Sequence, residues 1–106
     1  MPIKRLPEQS YQNIRFYAEK WQWRDSKQNI LTTGYIAPAS AKEKAQVPVS
    51  IKYVTLKGVL EYGNVITLKV DARRHQRLVM FVDSGDVRKI NDYLVISIDG
   101  TRFVTH

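Results

Sequence analysis

The chain has 106 residues, with 17 Lys and Arg against 10 Asp and Glu, for a net charge of +7 with neutral histidines. Hydrophobic residues make up 43% and charged residues 25%, values of an ordinary globular domain that exclude wholesale disorder. There is no cysteine, which excludes a disulfide scaffold, a thiolate metal site and a cysteine nucleophile. One of the two histidines, His106, is the last residue of the sequence, so a histidine-based metal site is not expected. No stretch approaches the ~20 apolar residues of a membrane span, and the opening residues lack the apolar run of a secretory signal. The expectation is one soluble domain held in a reducing cytoplasm, with a single small core.

Residues 1–10 hold two of the four prolines and read as an extended N-terminal arm, with one small β domain over 11–106. Residues 11–23 fit two patterns. Ile14, Phe16 and Ala18 alternate as in a strand, while Ile14, Tyr17, Ala18 and Trp21 fit helical spacing. Five of the thirteen are aromatic, which tips the reading to a strand. Asp25 to Asn29 is a polar turn, and Ile30 to Ala37 is a second strand with a bend at Gly34. Pro38 and Pro48 bracket a change of character. Ser40 and Glu43 have capping-box spacing, which predicts a short helix from Ala41, or else an extended loop, within 38–48.

From Val49 the chain is nearly all β. Val49, Ile51 and Tyr53 alternate with polar neighbours. Gly58 and Gly63 mark a turn region, and Ile66, Leu68 and Val70 are expected on one face of the next strand. A polar link at 71–76, a buried strand from Leu78 to Val82 and a turn at 83–86 follow. The sharpest local signal is Asp99-Gly100 between Tyr93–Ile98 and Thr101–Thr105, a two-residue hairpin turn. Six or seven short strands predict an all-β fold, a small barrel or sandwich.

No catalytic constellation stands out. Ser84 has no adjacent base, and Asp83, Asp86, Asp92 and Asp99 suit turns that bond their own backbone. No enzyme activity, metal or cofactor is expected. The one charge cluster is Arg73-Arg74-His75-Gln76-Arg77, suited to phosphate oxygens or the acidic side chains of a neighbour. Lys42, Lys44 and Lys52 form a weaker group. Tyr11, Phe16, Tyr17, Trp21 and Trp23 suit either a core and protein interface or a stacking platform for single-stranded nucleic acid.

The order of features resembles the small head–tail joining proteins of tailed bacteriophages, the head-closure or stopper proteins of the virion neck. The matching parts are a strand pair at Ile14 to Trp23 and Ile30 to Ala37, the element Ala37-Pro38-Ala39-Ser40-Ala41-Lys42-Glu43, and the terminal hairpin from Asp92 to Val104. The resemblance implies a structural protein of the virion that joins the DNA-filled head to the tail and helps retain DNA. It implies a closed ring of copies, on the order of six or twelve, each contacting its neighbours head to tail. Its partners would be a portal or adaptor protein, a tail-tube or tail-terminator protein, and the genomic DNA in the lumen. Arg73, Arg74 and Arg77 would then meet DNA or an acidic ring, and Trp21, Trp23, Tyr35, Lys42 and Lys44 would meet neighbouring subunits. The alternative is a basic nucleic-acid-binding barrel of the OB type.

Overall fold

A computed structural model describes residues 7–104. The fold is all-β with one short helix. Its strands are β1 (Glu8–Ser10), β2 (Lys20–Arg24), β3 (Ile30–Gly34), β4 (Glu43–Val47), β5 (Val49–Val54), β6 (Leu60–Asp71), β7 (Gln76–Phe81), β8 (Val87–Asn91), β9 (Val95–Ile98) and β10 (Thr101–Val104). Helix α1 covers Ile14–Ala18. Two open sheets result: seven strands in the order β1-β10-β9-β5-β6-β7-β8, and three in the order β3-β2-β4. Neither closes on itself, so the barrel form of the expectation gives way to open sheets.

The core lies on one face of the larger sheet. In β5, Val49, Ile51 and Tyr53 are buried and alternate with exposed Ser50 and Lys52, the pattern of a central strand covered on one side. Val65, Val79, Ile90, Val95, Ile98 and Phe103 complete this face. Each large aliphatic side chain buried there stabilises the fold by about 1.5–3 kcal/mol. Gly63 lets the sheet pack tightly. A Cβ there would lie 2.7 Å from the ring of Phe81, which covers the bare backbone.

Three expectations are corrected. First, residues 11–18 are helical, a 3-10 turn at Tyr11–Asn13 followed by α1, and the strand starts only at Lys20. Ile14 and Ala18, four apart, are both buried on one helix face, and Tyr17 packs edge-on to Phe103. A strand would have put Phe16 on the face of Ile14, but Phe16 is 41% exposed. Second, no helix forms in 38–48. Ser40 lies in a turn, and Glu43 opens β4, where its carboxylate takes the amide of Gln28 at 2.6 Å. Pairing with β2 from Arg24↔Glu43 to Lys20↔Val47 satisfies the backbone that an isolated helical turn leaves open. Third, β6 turns its other face inward. Val65 and Thr67 are buried, whereas Leu68 and Val70 are exposed. A register shift between Thr67 and Lys69 leaves Leu68 as an extra residue opposite β7.

The arm is ordered where it is described. Residues 8–10 form β1, parallel to β10, and Arg102 donates its N–H to Pro7 at 2.8 Å. Residues 1–6 lie outside the described part. The Asp99-Gly100 turn is as expected: both residues have positive φ, 48° and 82°, and β9 and β10 pair across it. The Asp99 carboxylate also accepts the N–H of Ser50 at 2.8 Å, tying the hairpin to β5.

Candidate functional site

The smaller sheet is where the chain departs from a closed core. None of the residues in β2, β3 and β4 is buried. Ile30 is 57% exposed, Leu31 37% and the following Ile36 76%. A three-stranded sheet without a buried face is marginal by itself, so its attachments matter. Pro48 separates β4 from β5 and contributes no N–H, so the ladder that β5 makes with β6 stops at Val49↔Val65. Gln46 takes up the slack. Its Oε1 accepts the N–H of Thr67 at 2.6 Å, and its Nε2 donates to the carbonyl of Thr67 at 2.9 Å. One side-chain amide thus replaces the peptide group that a continued strand would have offered.

Trp21 and Trp23 lie two apart on the middle strand and share a face. Trp23 Nε1 donates to the carbonyl of Gly34 at 3.1 Å. Lys44, directly opposite Trp23, places Nζ 4.3 Å from the Trp21 ring centre and 5.6 Å from that of Trp23. Tyr35 packs edge-on to Phe16 of α1, with ring centres 4.8 Å apart. Lys42 is exposed, and its N–H continues the sheet by donating to Arg24 at 2.8 Å. The turn into β3 is organised by Asp25, whose carboxylate accepts the N–H groups of Asn29 and Lys27, both at 2.9 Å. These bonds, that from Asn29 foremost, hold its carboxyl below the usual carboxylate range.

The structure brings Trp21, Trp23 and Lys44 together as one cluster. It divides the arginine group. Arg73 and Arg74 are exposed in the turn between β6 and β7, where Arg74 lies 3.9 Å from Asp71. Arg77 is only 2% exposed. Its Nε donates to Asp92 at 2.8 Å and its Nη1 to Thr67 at 3.2 Å. β7 alternates, so Arg77 falls on the inward face with Val79, and Asp92 closes over it from the turn after β8. Its place is therefore structural, apart from Arg73 and Arg74. His75 is exposed and packs at a tilt against Tyr93, with 4.6 Å between ring centres.

A further feature was not read from the sequence. The larger sheet curls so that β5 and β8 line one cavity of about 620 Å³. Tyr53, Gln76, Glu61, Arg88 and Lys89 bring polar groups to it, and Leu56, Val59 and Leu94 bring apolar ones. The hydroxyl of Tyr53 and Oε1 of Gln76 are buried without a hydrogen-bond partner. Burial, with the Glu61 carboxylate beside it, pushes the Tyr53 hydroxyl up to about 12. The signal available was a tyrosine at the third inward position of β5, a core residue with a polar tip. No known family, curated protein or solved structure matches this chain.

Proposed function

We propose that this protein works by assembly, as a structural subunit of the head–tail neck of a tailed bacteriophage. The observation that carries the reading is the smaller sheet, which holds Ile30, Leu31, Trp21 and Trp23 with no buried residue of its own. Ile30 and Leu31 are exposed and the two tryptophans only half-buried, and apolar surface left open on a sheet that buries no face marks protein contacts. The radius of gyration, 15.1 Å, exceeds the ~13 Å of a compact domain of this length, as a projecting element requires. In a ring each copy would lay this sheet on its neighbour, a head-to-tail contact that closes when the rotation does. Arg73 and Arg74 are exposed at a hairpin tip, and in this reading they would meet DNA phosphates or an acidic neighbour. Light scattering over a range of protein concentrations tests this. A discrete multiple of the monomer mass, unaffected by DNA, is expected. A monomer at every concentration, also with portal and tail proteins added, overturns it.

A second reading, binding of single-stranded nucleic acid, is favoured by β2 itself. Its sequence Lys20-Trp21-Gln22-Trp23-Arg24 interleaves basic and aromatic residues. Lys44 already covers the Trp21 ring, which sets this reading second. It predicts quenching of tryptophan fluorescence by single-stranded DNA, weakening steeply with salt.

A further inference from the structure

Among the described residues, β8 is the outer strand of the larger sheet and pairs with β7 alone. Four successive residues of its length, Arg88 to Asn91, border the cavity. Side chains of successive strand residues alternate between faces, so β8 meets the cavity with its edge. On the side away from β7 that edge has no strand partner among the described residues, and the cavity beside it also holds Tyr53 and Gln76. Tyr53 is 2% exposed and offers a donor, while Gln76 Oε1 needs one. A simple anion supplies acceptors alone. A peptide strand supplies both, in alternation, at the spacing a strand edge requires. The rim chooses the charge: Lys57, Arg88 and Lys89 outnumber Glu61. The wall of Leu56, Val59 and Leu94 takes an apolar side chain, and the volume lies within the ~300–1,000 Å³ of known ligand sites.

We propose that the gap between β8 and β5 is a docking groove for an extended acidic peptide segment of a partner protein, which adds as a strand to the free edge of β8. The proposal is independent of the ring reading, since it uses neither the smaller sheet nor a second copy.

The test is selection of a random nonapeptide display library on the full chain at a concentration where it is monomeric. The winning peptide is then titrated into isotope-labelled protein and followed by amide shifts. Enriched peptides should alternate apolar residues and carry Asp or Glu at their ends. Their shifts should fall on 87–91 and 53–61. Arg88→Glu with Lys89→Glu, both exposed, should weaken binding by about tenfold or more, while the spectrum stays folded. Tyr53→Phe should weaken it several-fold. No enrichment over the doubly substituted chain overturns the proposal. So do shifts confined to β2–β4, or β8 amides that respond only to protein concentration, which would make the groove a contact between copies. Equal binding of N-acetylglutamate also overturns it, since a bare anion patch would then suffice.

Discussion

The two sheets are built from similar residue types and behave differently. In the larger one, β5 buries every second residue, and Tyr53, Phe81 and Gly63 interlock behind it. In the smaller one, β2 has the higher aromatic content yet buries nothing completely. Strand pairing alone thus does not make a core; a sheet becomes self-sufficient when one face is covered. The smaller sheet is held by Gln46 bonding across to the larger sheet, by Lys44 over its tryptophans and by the Asp25 turn, each the work of one side chain. Such a sheet is suited to being covered by something else.

The largest expected effect lies under the larger sheet. Arg77→Ala would strand the Asp92 carboxylate in a buried site and cost about 3–5 kcal/mol. Arg73→Ala, at an exposed turn, should stay within about 0.5 kcal/mol. Urea midpoints of the two variants check the contrast. Next, Ile98→Ala should cost about 2–5 kcal/mol, since that side chain is fully buried. Ile36→Ala, on a residue 76% exposed, should leave the monomer within about 0.5 kcal/mol. The same assay separates them.

Between these lies the joint. Gln46→Ala would leave both backbone groups of Thr67 without their partner, at about 1–3 kcal/mol. Its loss should appear first as faster amide exchange in β2–β4 and at Thr67, with β5 unchanged. Smaller still, Lys44→Met should cost about 0.5–1 kcal/mol and shift tryptophan emission. One effect of pH falls in alkaline solution. The folded chain keeps the Tyr53 proton up to about 12, whereas the unfolded chain releases it near 10. Between these values the unfolded state binds fewer protons, so stability should fall as pH rises. Tyr53→Phe should remove that part of the slope in alkaline melting curves.

Much of the larger sheet was legible because its signals are local. The alternation of Val49, Ile51 and Tyr53 and the Asp99-Gly100 turn each need only a few neighbouring residues. Residues 11–18 were harder, because Phe16 and the aromatics raise strand propensity while the burial of Ile14 and Ala18 depends on what lies beneath them. β6 misled for a related reason. Its apolar residues occupy both faces, and the bulge at Leu68 changes the phase part-way along. The arginine group could not be divided by spacing alone. Whether Arg77 points in or out depends on Asp92, fifteen residues later, arriving over it. Trp21, Trp23 and Lys44 were each singled out, but their meeting depends on β4 pairing with β2 rather than coiling into a helix.

The central claim, that the smaller sheet is an assembly surface, is tested most directly by amide hydrogen exchange at several protein concentrations. In dilute protein, residues 20–47 should exchange quickly while β5, β6 and β7 stay protected. As copies assemble, protection should spread to 20–47. Equal protection of both sheets in the dilute monomer, or a smaller sheet that still exchanges freely in the assembled form, would contradict the account.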